Sequence, residues 1–433
     1  MFQPEYEMMD RERLEALQLE RLNSLLARVY ETVPTYRRKF DAADMVPHVS
    51  SLDELAGVPF TVKDDLRAAY PYGMFAVPMS EIVRVHSSSG TTGQVSVVGY
   101  TAGDLDRWSD LMARTFAAAG GTRDDVVQIA YGYGLFTGGL GAHYGSERLG
   151  CATIPISGGN TKRQVHVMKD FGTTILACTP SYALLIAETA RDMGIDPTQL
   201  SLRAGVFGSE PWSENTRAEV ERQLGITATD IYGLSEVLGP GVASECECQC
   251  GLHVNEDHFI IEIVDTETLQ PVADGKFGEV VFTTLTKEGI PVVRYRTRDI
   301  SRIVPGECSC GRTFRRLERL TGRSDDMLII RGVNVFPSQI EQGLLGIKGV
   351  APHYQVVLSR RGSMDQVEVQ VEVSPEVNFD EVKTLERLRA RVRAEITSAL
   401  AVSIGVRLVE PRFIQRSEGK AKRVVDLRAE GSE

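Results

Sequence analysis

The chain has 433 residues, 42% of them hydrophobic and 25% charged, with a formal net charge of −11. That length suits two or three domains around a sizeable core, and the composition is ordinary for a globular protein. The acidic balance excludes a general affinity for nucleic acid, so an anionic substrate needs local cations or a metal ion. The start, "MFQPEYEMMDRER", has no basic stretch followed by an apolar run and does not read as a secretory signal. No apolar run approaches the ~18 residues of a membrane helix, and the expectation is a soluble, cytoplasmic protein. Of the seven cysteines, Cys246, Cys248, Cys250, Cys308 and Cys310 fall in two short clusters, a pattern that suggests metal before disulfide in a reducing compartment.

Residues 10–31 predict an amphipathic helix capped by Asp10, with Leu14, Leu22, Leu25, Leu26 and Val29 at helical spacing. Between residues 81 and 236 short apolar runs alternate with helical patterns. "DVVQIAYGYG", "CATIPIS", "TTILACTP", "AGVFGSE" and "ATDIYG" read as buried strands, and "PSYALLIAETARDMG" and "WSENTRAEVERQLG" as helices. Such alternation predicts an α/β fold with a mostly parallel sheet. Residues 258–304 read as antiparallel β. After Gly322 a further unit begins, with "DMLIIRG" and "DQVEVQVEVS" as strands and "ERLRARVRAEITSALA" as a helix. The expected division is a large N-terminal domain over 1–324, with mixed sheets and a β subdomain, and a small mobile α+β C-terminal domain over 325–433.

One short stretch stands out for its chemistry. "SSSGTTGQ" follows the apolar "EIVRVH". Glycines let backbone N–H groups approach an anion, and hydroxyls add donors. The stretch lacks the lysine of the common G-x-x-x-x-G-K-[ST] phosphate loop, and Gln94 stands where a cation is expected. Alone, it reads equally well as a polar turn.

Its companions are more specific. "PFTVKDDLRAAYP", "YGYGLFTGGLGAHYG", "YGLSEVLGPG", "RYRTRD", "GRSDDMLIIRGVNVFPSQIE" and "RSEGKAKRVVD" occur along the chain. Together they resemble the phenylacetate–CoA ligase family of adenylate-forming enzymes, from about residue 5 to 428. The resemblance implies an ATP-dependent ligase acting in two steps. A carboxylate attacks the α-phosphate of ATP, giving an acyl-adenylate and pyrophosphate, and the thiol of CoA then displaces AMP. The first step joins two anions, so positioning and charge neutralisation matter more than a strong base. Magnesium is the usual partner of ATP phosphates.

The resemblance implies these roles. Ser88, Ser89, Gly90, Thr91, Thr92 and Gly93 match the phosphate loop. Gly208, Ser209, Glu210 and Pro211 match the segment along the adenine. Tyr232, followed by Gly233, matches the ring stacked on adenine, and Glu236 matches the magnesium carboxylate. Asp299 matches the acceptor of both ribose hydroxyls, a task that suits a carboxylate. Arg296 and Arg298 stay unassigned, since structural ion pairs explain them equally. Arg323 resembles a second nucleotide contact and Asp325 the hinge about which the C-terminal domain rotates between the half-reactions. Lys420 matches the catalytic lysine, with Lys422 as its rival, and Gly332 the approach to the pantetheine arm of CoA. Tyr133 and Phe136, with Pro240 and Gly241 as the far wall, are candidates for a pocket taking a small aromatic carboxylic acid. His86 and His143 lie near these segments without an assigned role, and Cys151 and Cys178 read as core. A homodimer is expected from the family alone.

"ECECQCGLH" and "GECSCGR" offer soft thiolates and one imidazole, which suit tetrahedral zinc. The resemblance points to Cys246, His253, Cys308 and Cys310 as a structural zinc set, with Cys250 as an alternative to Cys246 and free thiols as the other reading. Two rival functions remain: an adenylating enzyme passing the aryl acyl group to a carrier protein or amine, and a non-catalytic nucleotide sensor.

Overall fold

The computed structural model describes residues 1–88, 96–324, 328–330, 333–344, 346–361, 364–377, 381–400 and 404–428. Ser89, Gly90, Thr91, Thr92, Gly93 and Gln94 lie outside the described residues, as do Asp325 and Gly332. The chain divides into two compact units. The first comprises Met1–Cys178, Leu200–Ser209 and Thr227–Arg319, and the second Thr179–Gln199, Glu210–Ile226 and Leu320–Glu433.

The first unit is built on a nine-stranded mixed sheet. Ala152–Ile154, Val126–Ile129, Ile175–Cys178, Ala204–Gly208 and Thr227–Leu234 run parallel as neighbours. Gly239–Glu245 and Leu252–Val254 continue the sheet antiparallel. Ile175–Cys178 and Ala204–Gly208 are buried at every position, which explains their continuous apolar character. A second, antiparallel set joins Phe259–Val264, Gly278–Thr284 and Tyr295–Ser301. The fold class expected from the sequence is therefore observed, and no helix among the described residues is long and apolar enough to cross a membrane.

The N-terminal helix spans Arg11–Thr32, with the Asp10 side chain accepting from Arg13 N. Its buried Leu14, Leu22, Leu25, Leu26 and Val29 are the predicted apolar face. The sequence reading assigned no helix to residues 102–118 and read "YGYGLFTGGLGAHYG" as pocket lining. Two helices, Ala102–Ala118 and Gly138–Leu149, occupy these stretches. The glycines of the second permit close approach to the first: a Cβ on Gly145 would meet Met112 Cβ at 2.1 Å, and one on Gly141 would meet Trp108 Cζ2 at 2.5 Å.

In the second unit, Gly405–Val409, Met364–Val373, Val350–Arg361 and Val424–Asp426 form one sheet in that order. The helices Pro337–Leu344 and Val382–Leu400 share its core, which includes Ile340, Leu344, Tyr354, Val356, Val371 and Val392. The units do not coincide with a division at 324/325. Leu320 onward, together with the helices Pro180–Asp192 and Glu214–Leu224, forms the second unit. Named side chains tie these helices to the C-terminal residues. Glu341 accepts from Ser213 N at 3.0 Å, and Glu188 Oε1 bonds His353 Nε2 at 2.6 Å.

Candidate active site

In the first unit the candidate residues gather at the end of the strand Thr227–Leu234. The Tyr232 hydroxyl donates to Asp299 Oδ2 at 2.6 Å, and its ring stacks on Phe282 with centroids 5.9 Å apart. Asp299 is buried in the strand Tyr295–Ser301, and its N–H donates to Thr297 Oγ1 at 3.0 Å. Gly233 cannot carry a side chain, since its Cβ would lie 1.9 Å from Gly239 O on the adjoining strand. Gly208 is similarly confined, with Ile231 O at 2.3 Å from a Cβ.

Glu236 follows in the tight turn between Thr227–Leu234 and Gly239–Glu245, closed by Val237 N and Leu238 N donating to Leu234 O at 3.1 Å. The side chain is only 6% exposed, yet its carboxylate makes no ion pair among the described residues. A buried carboxylate on which the Lys287 ammonium acts only at longer range has the chemistry to hold a divalent metal ion such as magnesium. Beneath the turn lies Lys287, which the sequence reading missed. It is 2% exposed, donates to the Glu236 carbonyl at 3.5 Å and sits 4.9 Å above the Tyr100 ring. Burial pushes its ammonium down to about 7, against the opposing pull of Asp104 and Glu236.

Ser88 lies at the base of the Ser/Thr/Gly segment, which joins the paired strands Arg84–Ser87 and Val97–Tyr100. Ser88 N donates to Ser96 O at 2.9 Å, and Ser96 N donates to Ser88 Oγ at 3.0 Å. His86, beside it, is buried with Nδ1 3.0 Å from Leu135 O, and burial lowers its basicity, so the ring is a neutral packing element.

Among the acid-pocket candidates, Tyr133 OH lies 3.3 Å from His143 Nδ1, and the half-buried Phe136 lies against Gly138. Pro240 O accepts from Trp108 Nε1 at 2.8 Å, and Gly241 faces Met112. Arg296 pairs with Glu279 at 2.7 Å, the structural ion-pair alternative left open in the sequence.

In the second unit, Glu210 accepts from Ser181 N and Ala421 N, each at 2.8 Å, while Arg323 is half-buried on the short strand Gly322–Arg323. Lys420 and Lys422 precede the strand Val424–Asp426 rather than lying on it, so two-residue strand periodicity does not relate them. The Lys422 carbonyl accepts from Gln355 Nε2 at 3.3 Å.

The cysteine clusters converge in the first unit. The ligand atoms of Cys246, His253, Cys308 and Cys310 lie within 4.8 Å of one another. Cys246 Sγ is 3.7 Å from Cys308 Sγ, and Cys310 Sγ is 3.5 Å from His253 Nε2. Tetrahedral zinc at ordinary bond lengths separates two sulfurs by about 3.8 Å and a sulfur from a nitrogen by about 3.6 Å. Cys250 Sγ also adjoins this group, 3.3 Å from Cys308 Sγ, and accepts from Arg316 Nη1 at 2.9 Å. Cys248 is exposed. Burial, aided by Arg312 and Arg316, pushes His253 down to about 4, leaving a neutral imidazole with the donor chemistry a metal requires.

Comparison with known proteins decides the family. Residues 20–285 match the AMP-binding enzyme family, and residues 332–428 match the AMP-binding enzyme C-terminal domain. The phenylacetate-coenzyme A ligase of Escherichia coli (strain K12) is 52% identical over 96% of this chain and 95% of its own. That of Thermus thermophilus is 50% identical over 99% of this chain and all of its own. The chain belongs to the phenylacetate–coenzyme A ligase family.

As a member of that family the chain is an ATP-dependent acid–thiol ligase of the adenylate-forming type. A solved 2-hydroxyisobutyryl-CoA ligase with a bound acyl-AMP is 30% identical and superposes with a TM-score of 0.92, covering 98% of this chain and 91% of that one. An anthranilate CoA ligase at 19% identity, with a TM-score of 0.60 over 79% of this chain and 65% of that one, shares the fold. Two features of this family member had no signal in the sequence. Lys287 lies within residues 258–304, read from the sequence only as antiparallel β, and its burial arises when Tyr100 and the Glu236 turn close over it. The Glu210 carboxylate was read only as part of the adenine segment, and its partners lie about 30 and 210 residues away in sequence.

Proposed function

We propose that this chain ligates phenylacetate, or a closely related small aryl acid, to CoA through an acyl-adenylate. The observation that carries the reading is the buried Tyr232–Asp299 hydrogen bond beside the Glu236 turn, in a chain about half identical to phenylacetate–CoA ligases. Asp299 accepts hydrogen bonds from the ribose diol while Tyr232 fixes its orientation and packs against the adenine. Gly208, Ser209, Glu210, Pro211 and Gly233 supply backbone along the base, and Ser88 to Gly93 enclose the β- and γ-phosphates. Arg323 is a second nucleotide contact.

Glu236 holds magnesium, which neutralises charge on the phosphates when bound. Lys420 stabilises the charge that develops as the acid carboxylate approaches the α-phosphate. Tyr133, Phe136, Pro240 and Gly241 exclude water around the aromatic acid. The C-terminal domain, with Asp325 as hinge, withdraws Lys420 for the second half-reaction, and Gly332 then borders the pantetheine arm. Cys246, His253, Cys308 and Cys310 hold a structural zinc ion. The enzyme works as a cytoplasmic homodimer.

A panel of acids tests the substrate assignment. Phenylacetate is expected to give the highest kcat/KM, with benzoate and short aliphatic acids at least tenfold lower. A higher value for an aliphatic acid would reject the aryl pocket.

A further inference from the structure

The segment that carries Lys420 is fastened by a carboxylate from far away in the sequence. Glu210 presents both oxygens to backbone donors: Oε1 accepts from Ser181 N at 2.8 Å, and Oε2 accepts from Ala421 N at 2.8 Å. Ser181 lies in the first turn of the helix Pro180–Asp192, where N–H groups lack intrahelical partners and the helix dipole favours negative charge. Ala421 directly follows Lys420.

Neighbouring contacts reinforce the same attachment. Thr179, which caps that helix, donates through Oγ1 to Gly419 O at 2.9 Å. Ser417 Oγ donates to Lys420 O at 2.8 Å and accepts from Gly419 N at 3.2 Å, folding residues 417–420 into a compact turn. Just downstream, Arg423 pairs with Glu341 at 3.6 Å, and Val356 N donates to Arg423 O at 2.8 Å. The backbone on each side of Lys420 is therefore held, and Glu210 brings a charged acceptor to the turn.

We infer that Glu210 is a positioning residue for Lys420, its carboxylate clamping the lysine turn to the start of the helix Pro180–Asp192. Each N–H···carboxylate bond is charge-assisted, and together they fix where the Lys420 backbone stands. The inference rests on the assignment of Lys420 to adenylation. Because Lys420 serves the first half-reaction, loss of the clamp falls on adenylation rather than on thioester formation. Glu210 itself touches no reacting atom in this role.

The test uses the full chain and measures the two half-reactions separately. Adenylation is followed as single-turnover pyrophosphate formation from ATP and phenylacetate without CoA. Thioester formation is followed from supplied phenylacetyl-adenylate and CoA. Glu210→Ala is expected to slow adenylation about 10- to 100-fold more than thioester formation, the effect of losing a charge-assisted contact that positions a reacting group. Glu210→Gln keeps the shape but turns one acceptor into a donor, and it carries the same comparison if the alanine variant does not fold. In a Lys420→Ala background, Glu210→Ala is expected to add no further loss of adenylation, because the residue acts through the lysine. Equal losses in both half-reactions, no loss in either, or losses that multiply with Lys420→Ala would each overturn the clamp. A wild-type chain that forms no pyrophosphate with any aryl acid would instead reject the reading of Lys420 on which the clamp depends.

Discussion

The Tyr232 hydroxyl donates to Asp299 across 2.6 Å, joining the end of a strand in the large sheet to a strand of the antiparallel sheet. Both groups are buried, so the bond fixes the orientation of the carboxylate, as the proposed ribose contact requires. Tyr232→Phe keeps the ring and removes the donor. We expect AMP affinity to fall about tenfold, in line with one hydrogen bond to a charged group. Calorimetric titration with AMP measures this, and unchanged affinity would mean that the hydroxyl does not orient Asp299.

The proposed zinc set of Cys246, His253, Cys308 and Cys310 predicts composition. Purified without chelators, the chain should carry about one equivalent of zinc, as a closed four-ligand site requires. Cys308→Ser and Cys310→Ser should lose it together with thermal stability, whereas Cys248→Ser, at an exposed sulfur outside the four-atom group, should retain it. Elemental analysis below about half an equivalent would argue for free thiols.

Glu188 makes stability depend on pH in a definite direction. Burial alone raises its pKa, but the hydrogen bond and charge of His353, with Arg416, pull it down to about 2. A carboxylate with a depressed folded-state pKa stabilises the fold above its unfolded value and loses that contribution as pH falls through the folded one. The Tm difference between wild type and Glu188→Gln should therefore be present above about pH 4.5 and shrink from there toward pH 2. A difference that grows on acidification would contradict the assignment.

The parallel strands were legible because burial on both faces leaves continuous apolar runs, as in Ile175–Cys178 and Ala204–Gly208. The Arg11–Thr32 helix was legible from its cap and its apolar spacing. Among the expected site residues, Tyr232 and Asp299 meet directly, and Cys246, His253, Cys308 and Cys310 meet as a group. Lys287 and the Glu210 carboxylate had no local signature, because their partners come together only on folding. In the stretch from Tyr131 to Gly145, where Tyr133 and Phe136 are the pocket candidates, the packing role of Gly141 and Gly145 had no local signature, because their partners lie on another helix.

That packing is itself testable. Gly145→Ala should destabilise the chain by about 1–3 kcal/mol, since the added carbon forces the helices Ala102–Ala118 and Gly138–Leu149 apart. Gly194→Ala in an open site offers a comparison in which only backbone strain acts, its φ being +73°. Equal losses in the two variants would remove helix packing as the reason for Gly145.

Pyrophosphate and acyl-CoA can be followed together from ATP, magnesium and phenylacetate, with and without CoA, in wild type and Lys420→Ala. We expect pyrophosphate that requires the acid, a thioester formed in equal amount once CoA is present, and formation of both products from ATP slowed about 100- to 1,000-fold in Lys420→Ala. An adenylate that accumulates and ignores CoA, or undiminished pyrophosphate release by Lys420→Ala, would contradict this expectation.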